Sequence, residues 1–177
     1  MMLSLDAALF IQQCAPTVAP QTMQSIVKVE SAFKPFVIGS TVRLGKNVYL
    51  LKRQPHDKSE AVVWANWLMQ NGYRFDAGPA QVNSVNFARF GLSAESAFDP
   101  CLNIAVGGAI LTQEYRRAAK QMGEGAGALN AAISSYNSGS FERGITNGYV
   151  RKVRQAGMSA TAPIPSPIPM ALQGQPL

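Results

Sequence analysis

The stretch TMQSIVKVESAFKP, residues 22–35, decides how the rest of this chain is read. Met23, Ile26 and Val27 lie seven, four and three positions before Glu30, and Phe33 follows three positions after it. At helical spacing these side chains share one face. The pattern therefore predicts a helix whose apolar stripe carries a carboxyl group toward the core. Pro20 suits the first turn of that helix. Pro35 limits its far end, because the residue before a proline avoids the helical region. A carboxyl group in apolar surroundings resists ionisation, so Glu30 is expected to hold a proton near neutral pH, as a general acid must. On periodicity alone, a boundary residue or the partner of a buried Arg or Lys is the commoner explanation of such an acid. Lys28 points to another face and is not expected to pair with it.

Upstream, Ser4 is expected to cap a short helix running through Ala7, Ala8 and Ile11 to about Cys14, where Ala15-Pro16 breaks it. Downstream the pattern changes. FVIGSTVRL (36–44) and NVYLLKRQ (47–54) are rich in β-branched and aromatic residues, punctuated by Gly39 and Gly45, and predict a small hairpin or extended lobe. Ser59 is expected to cap the next helix, with Ala61, Trp64, Ala65 and Leu68 inward and Asn71-Gly72 as its stop. Trp64 and Trp67 read as core. The stretch YRFDAGPAQVN (73–83) reads as irregular, and its Gln81 and Asn83 need partners or a ligand. A short helix ends at about Phe90 with Gly91 after it, and Ser93 can cap another turn.

Asp99 caps and Pro100 opens the longest helix, with Ile104, Gly107, Gly108, Leu111, Tyr115, Ala118 and Met122 on one face. Gly107-Gly108 would admit another backbone closely. GEGAG (123–127) is a connection. Ala128 to Tyr136 is a helix with Leu129, Ala132, Ile133 and Tyr136 inward, and it runs into a turn at Asn137-Ser138-Gly139. Asn147 caps a last helix through Tyr149, Val150 and Val153 to about Ala156. Beyond it Pro163, Pro165, Pro167 and Pro169 alternate with small and apolar residues, a composition that cannot build a core and is expected to be extended or disordered. The chain thus divides into one domain, 1–156, and a Pro-rich tail, 157–177.

With 177 residues, 47% of them hydrophobic and 15% charged, the chain is long enough for one domain with a real core. The net charge of +6 suits an anionic partner: nucleic acid, a membrane surface or an anionic cell-wall polymer. Basic residues are scattered apart from Lys52-Arg53, Arg116-Arg117 and the Arg151-Lys152-Arg154 group. None interleaves with aromatics as a base-stacking platform does, so no nucleic-acid partner is expected. No apolar run is long enough to span a membrane. The N-terminal MMLSLDAALFIQQC lacks a basic start and is interrupted by Asp6 and Gln12-Gln13, so it reads poorly as a signal peptide. Two cysteines, Cys14 and Cys101, and a lone His56 are too few for a zinc site, and no metal or cofactor is expected. Spacing alone leaves one disulfide and two buried thiols equally open.

Four segments in order resemble the lytic transglycosylases of the goose-lysozyme-like (SLT) family. Glu30-Ser31 with Pro35 resembles the family's catalytic Glu-Ser segment. Gly78 to Asn83 resembles its Gly-Leu-Met-Gln segment, with Gly78 and Gln81 matching and Pro79-Ala80 departing from it. Asp99-Pro100, Asn103-Ile104, Gly107 and Leu111 resemble the helix start downstream. Ser135 to Gly139 resembles its Ala-Tyr-Asn-x-Gly segment, with Ser135 in place of Ala. The cysteine contexts CAPTVAP and DPCLNIAVGG are similar to the VirB1-like proteins of type IV secretion and conjugation systems. The resemblance runs from about Asp6 to Gln155.

It implies a mainly α, lysozyme-like fold with a small β lobe and a groove for glycan strands. The implied activity is that of a lytic transglycosylase, which cuts peptidoglycan between N-acetylmuramic acid and N-acetylglucosamine and leaves 1,6-anhydro ends. Glu30 would be catalytic, and Ser31, Gly78, Gln81, Asn83, Tyr136 and Asn137 would bind substrate. Taken singly, Ser31 reads as a helix residue bonding back to its own turn, Tyr136 as a core tyrosine, and Gln81 and Asn137 as loop or cap stitching. Asp76 reads as a turn residue. Peptidoglycan and secretion-system components are the implied partners, the periplasm is the implied location, and Cys14 and Cys101 are candidates for a disulfide. A hydrolytic lysozyme with Asp76 or another acid placing water, and a non-catalytic glycan-binding assembly module, are the competing readings.

Overall fold

The computed structural model describes residues 2–158, so most of the Pro-rich tail lies outside it. Eight helices dominate the described residues. In chain order the elements are α1 (Met2–Cys14), α2 (Pro20–Ser31), β1 (Thr41–Leu44), β2 (Asn47–Leu50), α3 (Lys58–Gln70), β3 (Asp76–Ala77), β4 (Val82–Asn83), α4 (Phe87–Phe90), α5 (Pro100–Met122), α6 (Ala126–Ser138), α7 (Arg143–Thr146) and α8 (Tyr149–Met158). None of these helices is long and apolar enough to cross a membrane.

The apolar stripe of α2 lies at the centre of the core. Met23 and Ile26 are fully buried and Val27 nearly so. They join Ile104 and Leu111 of α5, Ile133 of α6 and Val150 and Val153 of α8 in one cluster. Burying such a side chain contributes about 1.5–3 kcal/mol, which outweighs the modest intrinsic helix propensities of α2's Ser, Thr and Val residues. The double glycine of α5 works by close approach. A Cβ at Gly108 would stand 2.8 Å from Ala15 Cβ, and one at Gly107 would stand 2.7 Å from Ala80 Cβ and 2.8 Å from the Tyr136 hydroxyl. Cys14 and Cys101 are bonded, joining the end of α1 to the start of α5. Asp99 caps α5, accepting from the Leu102 N–H at 2.9 Å, with Pro100 in the first turn.

Several local expectations are corrected. Helix α2 stops at Ser31, four residues before Pro35, because Ala32 and Phe33 both take left-handed conformations (φ 52° and 63°). Phe33 therefore leaves the apolar face and is 42% exposed. Helix α1 begins at Met2, so Ser4 lies inside it instead of capping it. Asp57, not Ser59, caps α3, because its carboxylate accepts from the Glu60 N–H at 2.8 Å. Trp67 is not core: it is 55% exposed and stacks on Tyr73 with ring centroids 5.7 Å apart. Met122, at the end of α5, is also exposed.

The expected lobe is the antiparallel β1–β2 hairpin, with Val42 opposite Tyr49. Residues 73–83 are more ordered than their composition suggests. β3 and β4 pair antiparallel, with Asp76 opposite Asn83 and Ala77 opposite Val82, around a turn at 78–81. Two-residue strands are too short to show an alternating pattern.

Candidate active site

Glu30 stands in the last turn of α2, above Met23, Ile26 and Val27, and faces a cleft of about 490 Å³. Segment 37–41, Gln54, Asp76 and Gln81 also line that cleft. Desolvation pushes the Glu30 carboxyl up to about 7, and the charge of Asp76 adds to the rise. A hydrogen bond opposes both: the Tyr149 hydroxyl donates to Glu30 Oε1. Tyr149 opens α8, where Asn147 Oδ1 accepts its N–H at 3.0 Å. Its own ionisation is pushed far up, first by burial and then by the neighbouring Glu30. Its hydroxyl therefore keeps its proton and donates it to Glu30.

Asp76, on β3, lines the same cleft. Burial raises its pKa, while the Asn83 amide, donating to Oδ1 at 2.8 Å, and the charge of Arg43 lower it.

The turn at 78–81 is clamped from behind. Asn103 of α5 is fully buried. Its Oδ1 accepts from the Ala80 N–H at 2.7 Å, and its Nδ2 donates to the carbonyls of Ala77 at 2.8 Å and Ala97 at 2.9 Å. Gly78 has φ +77°, and a Cβ there would stand 2.4 Å from Asn103 Nδ2 and 2.6 Å from Ala97 O. Only glycine fits both the backbone and the space. The Tyr136 hydroxyl donates to Ala80 O at 2.6 Å and not to Glu30. Gln81, in a left-handed conformation (φ 49°), donates from Nε2 to Gly78 O at 2.9 Å and Val37 O at 3.1 Å.

Among the residues expected in the site, Glu30, Ser31 and Gln81 line the first cleft. Gln81, Asn83, Tyr136 and Asn137 line a second, polar hollow of about 320 Å³. Asp76 and Gln81 belong to both. Gly78 lines neither and acts through the turn. The Ser31 hydroxyl donates to Val27 O at 3.0 Å, back to its own helix. Asn83 also ties the chain locally, its Oδ1 accepting from the Val85 N–H at 3.1 Å. Asn137 is exposed, and its Oδ1 accepts from Asn147 Nδ2 at 3.4 Å. A third, apolar hollow of about 410 Å³ is lined by Leu51, Val63, Trp64, Trp67 and Leu68, none of them ionisable. Among the described residues, no three His, Cys, Asp or Glu side chains gather as a metal site.

Tyr149 and the clamp made by Asn103 are what reading the sequence missed. Tyr149 lies 119 residues from Glu30, and the spacing within its own helix marks it only as inward-facing. Asn103 stands between apolar positions of α5. A buried amide there was a signal that something needed three hydrogen bonds.

The family model of the transglycosylase SLT domain matches residues 8–157. The chain belongs to this family. Its mainly α architecture, with a small β lobe, is the lysozyme-like SLT fold. The chain is 45% identical over 159 residues to the type IV secretion system protein virB1 of Brucella suis biovar 1, covering 86% of this chain and 64% of that protein. It is 32% identical over 155 residues to protein virB1 of Agrobacterium fabrum, covering 88% of this chain and 60% of that protein. With protein virB1 of Rhizobium radiobacter it shares 36% identity over 148 residues, 84% of this chain and 59% of that one. The chain thus spans less than two thirds of the length of these relatives. No solved structure matches it.

Proposed function

We propose that this SLT-family chain is a peptidoglycan lytic transglycosylase that opens the cell wall locally for a type IV secretion or conjugation apparatus. The observation that carries the reading is Glu30: a carboxyl pushed up to about 7 by burial, held by Tyr149, at the edge of an open polar cleft. Near neutral pH such a group can both give and take a proton, which cleavage without water requires. Glu30 protonates the oxygen leaving muramic acid C1, and the C1–O bond breaks. The muramic acid C6 hydroxyl then attacks C1 and returns its proton to the Glu30 carboxylate. The 1,6-anhydro ring closes, and the acid is restored.

Gln81 from the clamped turn and Asn83 from β4, with Tyr136 and Asn137 from α6, supply the polar wall for N-acetyl groups and ring hydroxyls. Ser31 packs against the acid's own turn. The net charge of +6 suits an anionic wall polymer. The names of the virB1 relatives support the secretion-system role, and with it a periplasmic location and secretion-system partners.

A hydrolytic reading draws on Asp76, a second carboxyl in the same cleft, which could place water. Digestion of purified peptidoglycan by the protein and by Glu30→Gln, read by mass spectrometry, separates the two. Anhydro-muropeptides from the wild type, with Glu30→Gln slower by about a thousandfold or more, are expected. Reducing-end products would indicate the hydrolase. Release by neither protein would indicate a binding module.

A further inference from the structure

We infer that the apolar hollow on α3 is a docking groove for residues 163–169 of this same chain, PIPSPIP, laid in it as an extended strand. The inference stands apart from the chemistry of the Glu30 cleft. Trp64 and Trp67 lie one turn apart on α3, Val63 between them is 65% exposed, and Leu51 joins them from the end of β2. Contiguous exposed apolar side chains of this kind mark a contact surface. The aromatic walls are fixed by their neighbours. The Arg53 guanidinium lies over the Trp64 ring, 4.6 Å from its centroid, and Glu60 Oε2 accepts from Arg53 Nη1 at 3.0 Å. Trp67 stacks on Tyr73, which Tyr49 meets edge-on with centroids 5.8 Å apart. The Trp67 N–H and the Tyr49 and Tyr73 hydroxyls have no hydrogen-bond partner among the described residues. A rigid aromatic surface with free donors suits a proline-rich strand. Such a strand has no internal hydrogen bonds, so its carbonyls are free to accept, and its fixed φ lowers the entropy lost on docking.

The chain itself supplies the occupant. Residues 159–177 lie outside the described residues, and the argument for them is their sequence and reach. Residues 155–177 carry no charged side chain, and Pro163, Pro165, Pro167 and Pro169 alternate with Ile164, Ser166 and Ile168. Segments that remain in water are poor in apolar residues and rich in charge, the opposite of this composition. With three residues per polyproline turn, Ile164 and Pro167 share one face, Pro165 and Ile168 the next, and Ser166 falls on the third. Two adjoining apolar faces match an uncharged aromatic groove. Helix α8 ends at Met158, eleven residues before Pro169. At ~3.1 Å per residue that length spans about 34 Å, against a radius of gyration of about 15 Å for a domain of this size. Tethering also sets the effective concentration of the strand at roughly millimolar, enough to fill a groove that binds a short apolar strand weakly.

Trp64 and Trp67 are the only tryptophans in the chain, so tryptophan fluorescence reports this groove alone. The test is acrylamide quenching of the full chain, of Ile164→Asp/Ile168→Asp and of Val63→Asp. The first variant lies beyond α8 and the second on the exposed side of α3, so circular dichroism should show all three folded. The tail variant is expected to quench with a constant about twofold higher than wild type or more, and to emit at longer wavelength. Adding the tail substitutions to Val63→Asp should change nothing further, because the two act on one contact. A synthetic peptide of residues 159–172, added at roughly millimolar concentration, should restore protection to the tail variant.

Equal quenching in wild type and Ile164→Asp/Ile168→Asp would overturn the inference. Protection in the wild type that disappears on dilution from about 100 µM to about 1 µM would overturn it too, since a tethered strand is indifferent to protein concentration and the occupant would be the tail of a second copy. Equal quenching in the absence of glycan, with a soluble cell-wall glycan protecting wild type and tail variant alike, would give the groove to sugar instead.

Discussion

The cleft has two unlike sides. The floor, from α2 through the 78–81 turn to α5 and α6, is held by buried polar groups: Asn103 makes three hydrogen bonds to the turn and its neighbours, and Tyr136 adds a fourth. The facing wall is the β1–β2 hairpin and its flanks. Val42 is the only buried residue of those two strands, while Leu44, Val48, Tyr49 and Leu50 are exposed. The hairpin strands themselves are tied to the rest by the reciprocal backbone pair of Arg43 and Arg74, at 2.8 and 2.7 Å, and by Arg74 Nη2 donating to Gly45 O at 3.3 Å. A packed floor with satisfied buried amides keeps an acid within the small tolerance that catalysis needs, whereas a sparsely buried wall opens at lower free energy. The proposed acid sits on the packed side, and the sparsely buried side is expected to open first.

The sharpest way to break this contrast is to loosen the floor. The Cys14–Cys101 bond closes a sequence separation of 87 residues, and a loop of that size is worth about 4 kcal/mol in the chain-entropy account. The Cys14→Ser/Cys101→Ser pair should lose about that much in urea unfolding. Thiol counting on denatured, unreduced wild type should find none. Gly78→Ala combines a left-handed backbone with a methyl group 2.4 Å from Asn103 Nδ2, so it should cost about 3 kcal/mol and lower kcat through the displaced turn. Gly45, in the hairpin, also has positive φ (59°) but nothing within 4 Å, so Gly45→Ala should cost about 1 kcal/mol from strain alone. Equal losses at the two glycines would remove the distinction between floor and wall.

Glu30 sharpens the contrast through pH. Its folded pKa of about 7 lies above the ordinary 4.5, so between those values the folded protein binds more protons than the unfolded chain. Stability on this account is full below 4.5 and falls as pH rises through 7. Glu30→Gln should abolish this dependence, raising stability at pH 8 relative to pH 4.5 by about 2–3 kcal/mol compared with wild type. Melting curves at the two pH values read it directly. Tyr149→Phe should have a smaller and distinct effect. Its hydroxyl lowers the Glu30 pKa, so losing it should move the alkaline limb of activity to higher pH, with kcat reduced about tenfold.

Spacing and composition show the α2 face and the β1–β2 hairpin, but not the bonds that join distant elements. Met23, Ile26 and Val27 repeat with the helical period, so the face bearing Glu30 is legible from spacing alone. Asp99-Pro100 marks the start of α5 by the chemistry of a cap. The Glu30–Tyr149 bond is not legible, because it joins residues 119 apart that meet only when α8 packs on α2. Local signals also fail where competitors lie close together. Asp57 and Ser59 both make good caps, and the aspartate wins by starting the helix one residue before Ser59. Trp67 reads as core by its bulk, yet it lies outside the stripe of Ala61, Ala65 and Leu68 that packing selects. Phe33 keeps its helical spacing in the sequence and loses it in the fold, because two left-handed residues turn the chain away at Ala32.

The smallest expected effect tests the wall directly. Leu50 is 74% exposed, so Leu50→Ser removes almost no buried apolar surface and should change stability by less than about 0.5 kcal/mol. Val42 is 3% exposed and sits opposite Tyr49 in the hairpin register, so Val42→Ala should cost about 1–2 kcal/mol. The two variants differ in hydrogen-exchange behaviour as well. Val42→Ala should speed exchange at the Arg43 and Arg74 amides, which hold the hairpin to the strand leading into Asp76, and leave the Ala80 amide, clamped by Asn103, unchanged. Exchange that rises equally at Ala80 would mean that floor and wall open together, and the wall could not then adjust to a glycan strand while the acid stays in place.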